Sequence, residues 1–191
     1  MRGGSHFVMN AVSAFALIDG YLLLTKTAAA PSLKPAIETA VTWMSEFDGM
    51  SFPVGFVLSM LGYLGGSLMP DVDSPHSPFG RYVHVNVAHR TWTHSLWFVL
   101  LFAIPSYWFR PLIWLALGTF FHIFWDSFSV SGVHWFYPFR KGKGHLLKLY
   151  HTGEASERVV MILGIILTVL FSVFTVWRLM SEHTDLLMRL S

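Results

Sequence analysis

The sequence predicts an all-α, polytopic membrane protein, a single domain over residues 1–191 with four or five apolar helices. Three observations carry that prediction. Charged residues make up 13% of the chain, against about 25% in a soluble domain. Hydrophobic residues reach 53% and gather in runs comparable with the ~20 residues a bilayer demands. Ten histidines stand among the few polar residues, more than a lipid-embedded bundle needs for its interfaces alone. The chain has no cysteine, which excludes disulfides, thiolate metal sites and cysteine nucleophiles. The formal net charge of +2 rests on dispersed basic residues. Basic flanks of apolar spans account for it, so no nucleic-acid partner is expected.

The first apolar run, residues 7–24, is interrupted by Asp19. A signal peptide competes with this helix, with Arg2 before the apolar stretch and the alanines at 28–30 as a cleavage site; Pro31 immediately afterwards argues against cleavage. The opening Met1-Arg2-Gly3-Gly4-Ser5-His6 also resembles the remnant of an expression tag. Residues 26–51 mix Pro31, Pro35, Glu38, Glu46 and Asp48 with apolar residues, as expected of a loop holding a short amphipathic helix at the interface. Residues 52–69 are 18 uncharged residues, ~27 Å as a helix. Residues 96–109 and 112–128 flank Arg110-Pro111, a tight turn between antiparallel helices. The last span, 159–177, has 19 uncharged residues between Arg158 and Arg178.

If each apolar helix crosses, the N-terminus and the 70–94 and 129–158 loops share one face. That face carries Arg2, Arg81, Arg90, Arg140, Lys141, Lys143, Lys148 and Arg158, eight positives, against five (Lys26, Lys34, Arg110, Arg178, Arg189) on the other. The positive-inside rule places the first face in the cytoplasm.

The chemistry-bearing residues also collect on that face. Asp71 and Asp73 follow Pro70 after the second span, and His89 and His94 precede the third. His122 and Asp126 share one face of the fourth helix at i, i+4, as two ligands of one ion must. A carboxylate in an apolar helix costs about 2.5–3.5 kcal/mol on insertion scales, so Asp126 needs a partner, either an ion or an arginine such as Arg90 or Arg81. His6 precedes the first helix, and Glu154 and Glu157 the last. Mixed imidazole and carboxylate ligands suit Zn²⁺, Mn²⁺ or Fe²⁺, and their number suits two ions better than one. Such a site lowers the pKa of water to about 7. Arg90 is placed to neutralise a phosphoryl oxygen. Thr93 and Ser95 read as helix-cap hydroxyls, and the histidines at 76, 84, 134, 145, 151 and 183 as interfacial or solvated.

Three blocks resemble a known family. Leu68-Met69-Pro70-Asp71-Val72-Asp73-Ser74-Pro75, Ala88-His89-Arg90-Thr91-Trp92-Thr93-His94-Ser95 and the Gly118, His122, Asp126, Gly132, Val133 series are similar to the LPDIDHP, HRGxTHS and GxxxHxxxDxxTPxGV blocks of the YdjM-type family. These are described as LexA-binding, inner-membrane-associated, metal-dependent hydrolases. The resemblance implies a bacterial inner-membrane location. It implies metal ligands at Asp71, His89, His94, His122 and Asp126, joined by His6, Asp73 and Glu157, with Glu157 and Arg90 assisting catalysis. Ser74 stands where the family often has histidine, and Ser129-Val130-Ser131 replaces its Thr-Pro motif. A ligand mix like that of zinc-dependent phospholipase C suggests a phosphoester, and a site at headgroup level flanked by Trp92, Trp97, Trp125 and Trp135 suggests a lipid substrate. A membrane adaptor for a regulatory protein, with a structural metal, is the alternative expectation. A metal transporter would need polar residues along the whole bilayer path, where only Asp19 and a few small residues lie.

Overall fold

The structure, a computed structural model, describes residues 3–27, 31–45, 50, 52–77, 79–83, 85, 87–140, 142–144 and 146–190. Arg2, the alanines at 28–30, Glu46, Asp48, His84, Lys141 and His145 lie outside the described residues. Six α-helices form, with no strand among the described residues: α1 (Gly3–Lys26), α2 (Lys34–Ser45), α3 (Phe52–Leu68), α4 (Leu96–Ala103), α5 (Leu112–Asp126) and α6 (Ala155–Leu190). Short 3-10 turns occupy Pro70–Asp73 and Pro105–Tyr107.

Two helices are long and apolar enough to cross a bilayer, Gly4–Lys26 with 23 residues and Ala155–Glu182 with 28. The expectation that 96–109 forms a crossing helix is corrected. Pro105 has no N–H to continue the ladder, so α4 stops after eight residues, ~12 Å of a ~30 Å hydrocarbon layer. With the 15-residue α5 it makes a short hairpin that begins and ends at the same end of the bundle. Helix α3 has 17 residues. The predicted amphipathic helix is α2. It sits at the opposite end, where the Trp114 indole donates to the Met44 carbonyl at 2.8 Å and the Arg110 guanidinium lies 5.9 Å from the Trp43 ring centre.

Small residues set the packing. A Cβ on Gly66 would stand 2.1 Å from the Leu115 carbonyl oxygen, and one on Gly118 would stand 2.0 Å from that of Tyr63. Helices α3 and α5 therefore cross backbone to backbone, and Thr119 Oγ1 donates to the Gly66 carbonyl at 3.2 Å. Helix α1 is tied to α3 by Tyr63 Oη donating to the Asn10 carbonyl at 2.9 Å, and to α5 by Trp125 Nε1 donating to Ser13 Oγ at 2.9 Å. Its tie to α6 is Ser172 Oγ donating to Asp19 Oδ2 at 2.5 Å. Among the described residues 23 polar or charged side chains are buried but only seven hydrophobic ones. Polar groups turn inward and apolar ones outward, as a lipid solvent requires.

Candidate metal centre

Four chain segments end at one point. Helix α1 brings His6 in its first turn, and the 3-10 turn capping α3 brings Asp71 and Asp73. The loop entering α4 carries His89 and His94, and the last turns of α5 carry His122 and Asp126. His6, His94, His122 and Asp126 are all at most 1% exposed. Two groups of three place their donor atoms within 4.8 Å of one another: His6, His122 and Asp126; and Asp71, His89 and His94.

The groups interlock. His6 Nε2 is 3.4 Å from Asp126 Oδ1, and His94 Nε2 is 3.6 Å from Asp126 Oδ2 and 3.7 Å from Asp71 Oδ1. His122 Nε2 is 3.6 Å from Asp71 Oδ1. The His6 and His122 rings stack with centroids 3.6 Å apart. The Nε2 atoms of His6, His94 and His122 are buried and have no hydrogen-bond partner among the described residues. Leaving such groups unpaired costs about 1–3 kcal/mol each. Nitrogen and oxygen ligands at ~2.0–2.1 Å from a tetrahedral ion stand ~3.3–3.4 Å apart. Separations of 3.4–3.7 Å, too long for hydrogen bonds, match ligand edges closely. The donor set fits a divalent transition metal.

The other ring nitrogens are held from behind, as metal-binding histidines usually are. His122 Nδ1 lies 2.6 Å from the Ser67 carbonyl oxygen and donates to it. His89 Nδ1 lies 2.6 Å from Asp73 Oδ1. His94 Nδ1 lies 3.1 Å from Thr93 Oγ1, whose hydroxyl donates to Asp73 Oδ2. Burial pulls the Asp73 carboxyl up, but hydrogen bonds from His89, His94 and Thr93 outweigh it and hold Asp73 below the usual carboxylate range. The Asp73 bond also raises the pKa of His89 against its partial burial. Burial lowers the pKa of His94, which keeps it neutral and able to ligate.

Asp73 belongs to neither group of three, and both its oxygens accept hydrogen bonds, the second also from the Arg90 N–H at 3.3 Å. Arg90 is engaged too. Its Nη2 lies 3.1 Å from Asp126 Oδ2, and its Nη1 donates to Ser129 Oγ at 3.0 Å and the Gly132 carbonyl at 3.4 Å. Its backbone has φ +63°, a left-handed conformation costing about 1–3 kcal/mol in a non-glycine residue. That conformation lets one residue address Asp73 through its N–H and Asp126 through its guanidinium. Glu157 is buried at the head of α6 and accepts from the Gly153 N–H at 2.6 Å; it belongs to neither group of three. Ser95 occupies the N-cap position of α4, but its hydroxyl donates to the Trp92 carbonyl, and the Thr93 hydroxyl donates to Asp73. His76 and His151 are exposed and belong to neither group of three. Sequence reasoning missed the Ser67 carbonyl, Ser129 and Thr152 (Oγ1 3.3 Å from Arg90 Nη2); no spacing rule points to them.

Residues 1–183 match the family YdjM inner membrane protein. The chain belongs to this family. No curated protein and no solved structure matches it. The three blocks that carry the YdjM resemblance supply Asp71, His89, His94, His122 and Asp126, five of the six residues in the two candidate groups. The sixth, His6, comes from α1.

Proposed function

We propose that this YdjM-family protein is a membrane-embedded, metal-dependent hydrolase acting on a phosphoester in a lipid or amphiphile, with its site on the cytoplasmic side of the inner membrane. The observation that supports it is the set of three partnerless, buried imidazole nitrogens facing two carboxylates. His6, His122 and Asp126 would hold one Zn²⁺, Mn²⁺ or Fe²⁺ ion, and Asp71, His89 and His94 a second. A bound divalent ion supplies Lewis acidity and an acidified water at neutral pH. The chain's own residues do the rest. Ser67, Thr93 and Asp73 fix the imidazole tautomers; Arg90 balances the charge of Asp126 and aims it. His89, with a side chain 47% exposed, marks the side open to substrate.

A second reading, a non-catalytic adaptor for a regulatory protein with a structural metal, draws support from the commitment of Arg90 to Asp126 rather than to a substrate phosphate. Elemental analysis of detergent-purified protein, followed by release of p-nitrophenol from its phosphate mono- and diesters, separates the readings. Metal plus turnover that EDTA abolishes supports the hydrolase. Tight metal with no turnover on soluble or lipid phosphoesters supports the adaptor. Absence of transition metal refutes both.

A further inference from the structure

Gly144 and residues 146–150 run as a strap beside the end of α5. Its backbone is pinned: the Leu146 N–H donates to the Ser127 carbonyl at 2.9 Å, and the Leu149 N–H to that of Phe128 at 2.8 Å. The Val130 N–H donates to the Tyr150 carbonyl at 2.9 Å, and Gly144 pairs with Val133 in both directions. Despite this anchoring, Leu146, Leu147 and Leu149 point outward, each at least half exposed. Next to the strap Phe136 and Phe139 are exposed, Phe139 at 82%, and the Phe139 ring meets Trp97 on α4 with centroids 5.4 Å apart. The apolar rim is thus continuous with the lipid-facing surface of an apolar helix.

Its charge is of one sign. Between residues 127 and 153 the sequence holds Arg140, Lys141, Lys143 and Lys148 and no acidic residue. Arg140, Lys143 and Lys148 are exposed alongside the leucines and phenylalanines. A rigid element with outward leucines, edge aromatics and flanking cations has the composition of a segment seated in the headgroup layer, and the cations favour anionic lipid. Water would leave this apolar surface uncovered, and a soluble protein seldom exposes such a patch without a partner.

We propose that the strap (Gly144 and residues 146–150) and the 136–140 turn are an interfacial anchor, seated among anionic phospholipid headgroups at the metal-site end of the bundle. The inference holds whether or not the metal centre turns over a substrate. The anchor fixes the depth of the protein at that surface, so that the open side of the cluster meets the leaflet at headgroup level.

Because the chain lacks cysteine, a single Leu147→Cys substitution takes an environment-sensitive dye without further engineering. Leu147 is outward-facing, so the substitution leaves the packing intact, and an unchanged unfolding midpoint checks this. In vesicles of phosphatidylglycerol and phosphatidylcholine, the dye should be quenched by headgroup-level nitroxide lipids. It should also be several-fold less accessible to acrylamide than the same dye on free cysteine. Phosphatidylglycerol-borne nitroxide should quench more strongly than phosphatidylcholine-borne nitroxide. That preference should fall stepwise towards equality as Arg140, Lys143 and Lys148 are changed to Gln. Full acrylamide access overturns the proposal. So does shielding without lipid quenching, which would mean that protein covers the strap. Equal quenching by the two lipids overturns the anionic preference.

Discussion

Replacing Asp126 by Asn keeps the shape of the side chain and one carbonyl oxygen while removing its charge. Asp126 is 1% exposed and faces His6 at 3.4 Å, His94 at 3.6 Å and Arg90 at 3.1 Å. Two effects follow, and they are separable. In metal-free protein Arg90 loses its carboxylate, and breaking a buried ion pair costs about 3–5 kcal/mol. The lower end applies, because Arg90 keeps Ser129 and Gly132 as acceptors and its side chain is 12% exposed. In metal-loaded protein a direct ligand is lost, which costs more than the ~10–100-fold in affinity typical of a supporting residue. An ion present at a hundred times its dissociation constant stabilises the fold by ~2.7 kcal/mol, and the variant should forfeit that as well. Elemental analysis and thermal unfolding with and without EDTA measure both. Wild-type protein should be destabilised by the chelator, and Asp126→Asn protein should respond less, keeping only the ion at Asp71, His89 and His94. Adding His122→Ala should change metal content little further, because the ion is already gone. A well-folded Asp126→Asn protein with full metal stoichiometry refutes the site.

Other outcomes follow from the same geometry. Asp73→Asn should weaken metal affinity ~10–100-fold without abolishing it, since Asp73 only orients His89 and His94; complete loss would make it a ligand. The folded-state pKa of Asp73 lies below its unfolded value, near 3.9. Its contribution to stability is therefore in place above that pH and lost as pH falls further, and acid unfolding of Asp73→Asn protein should start from a lower plateau and lack this loss. His6→Ala should reduce metal content, measured by elemental analysis, and unchanged occupancy would detach α1 from the centre. Gly118→Ala should destabilise by at least the 1–3 kcal/mol of an overpacked core, because its Cβ would meet the Tyr63 carbonyl oxygen at 2.0 Å; a midpoint equal to wild type would contradict the close α3–α5 crossing. A reporter fused after Gly142 should be active only as a cytoplasmic fusion.

Hydropathy made α1 and α6 legible, though shorter than they are. It marks the lipid-facing stretch, whereas α6 continues past Trp177 through the Arg178–Glu182 pair at 2.9 Å. The length of α4 was hidden because residues 104–109 remain apolar after Pro105 has ended the helix. At the cluster the ligand types were legible from local spacing, above all His122 and Asp126 one turn apart. The division into ligands and supports was not. The Asp73–His89 bond joins residues 16 apart, and the Ser67–His122 bond residues 55 apart. Only the close crossing of α3 and α5 brings the Ser67 carbonyl behind an imidazole, and no periodicity encodes which ring nitrogen is left over.

The wide spread of the donor residues along the chain also bears on how the protein is made. His6 is synthesised before Asp126, which becomes available only after 120 further residues have been added. Until the α4–α5 hairpin is inserted, α1 must wait in the bilayer with an imidazole that has nothing to bind. On the proposed metal centre, loading would be a late event of biogenesis, following the meeting of α1, α3 and α5. An ion held between His6 and Asp126 would act as a clasp on the finished bundle, joining the first turn of α1 to the last turn of α5.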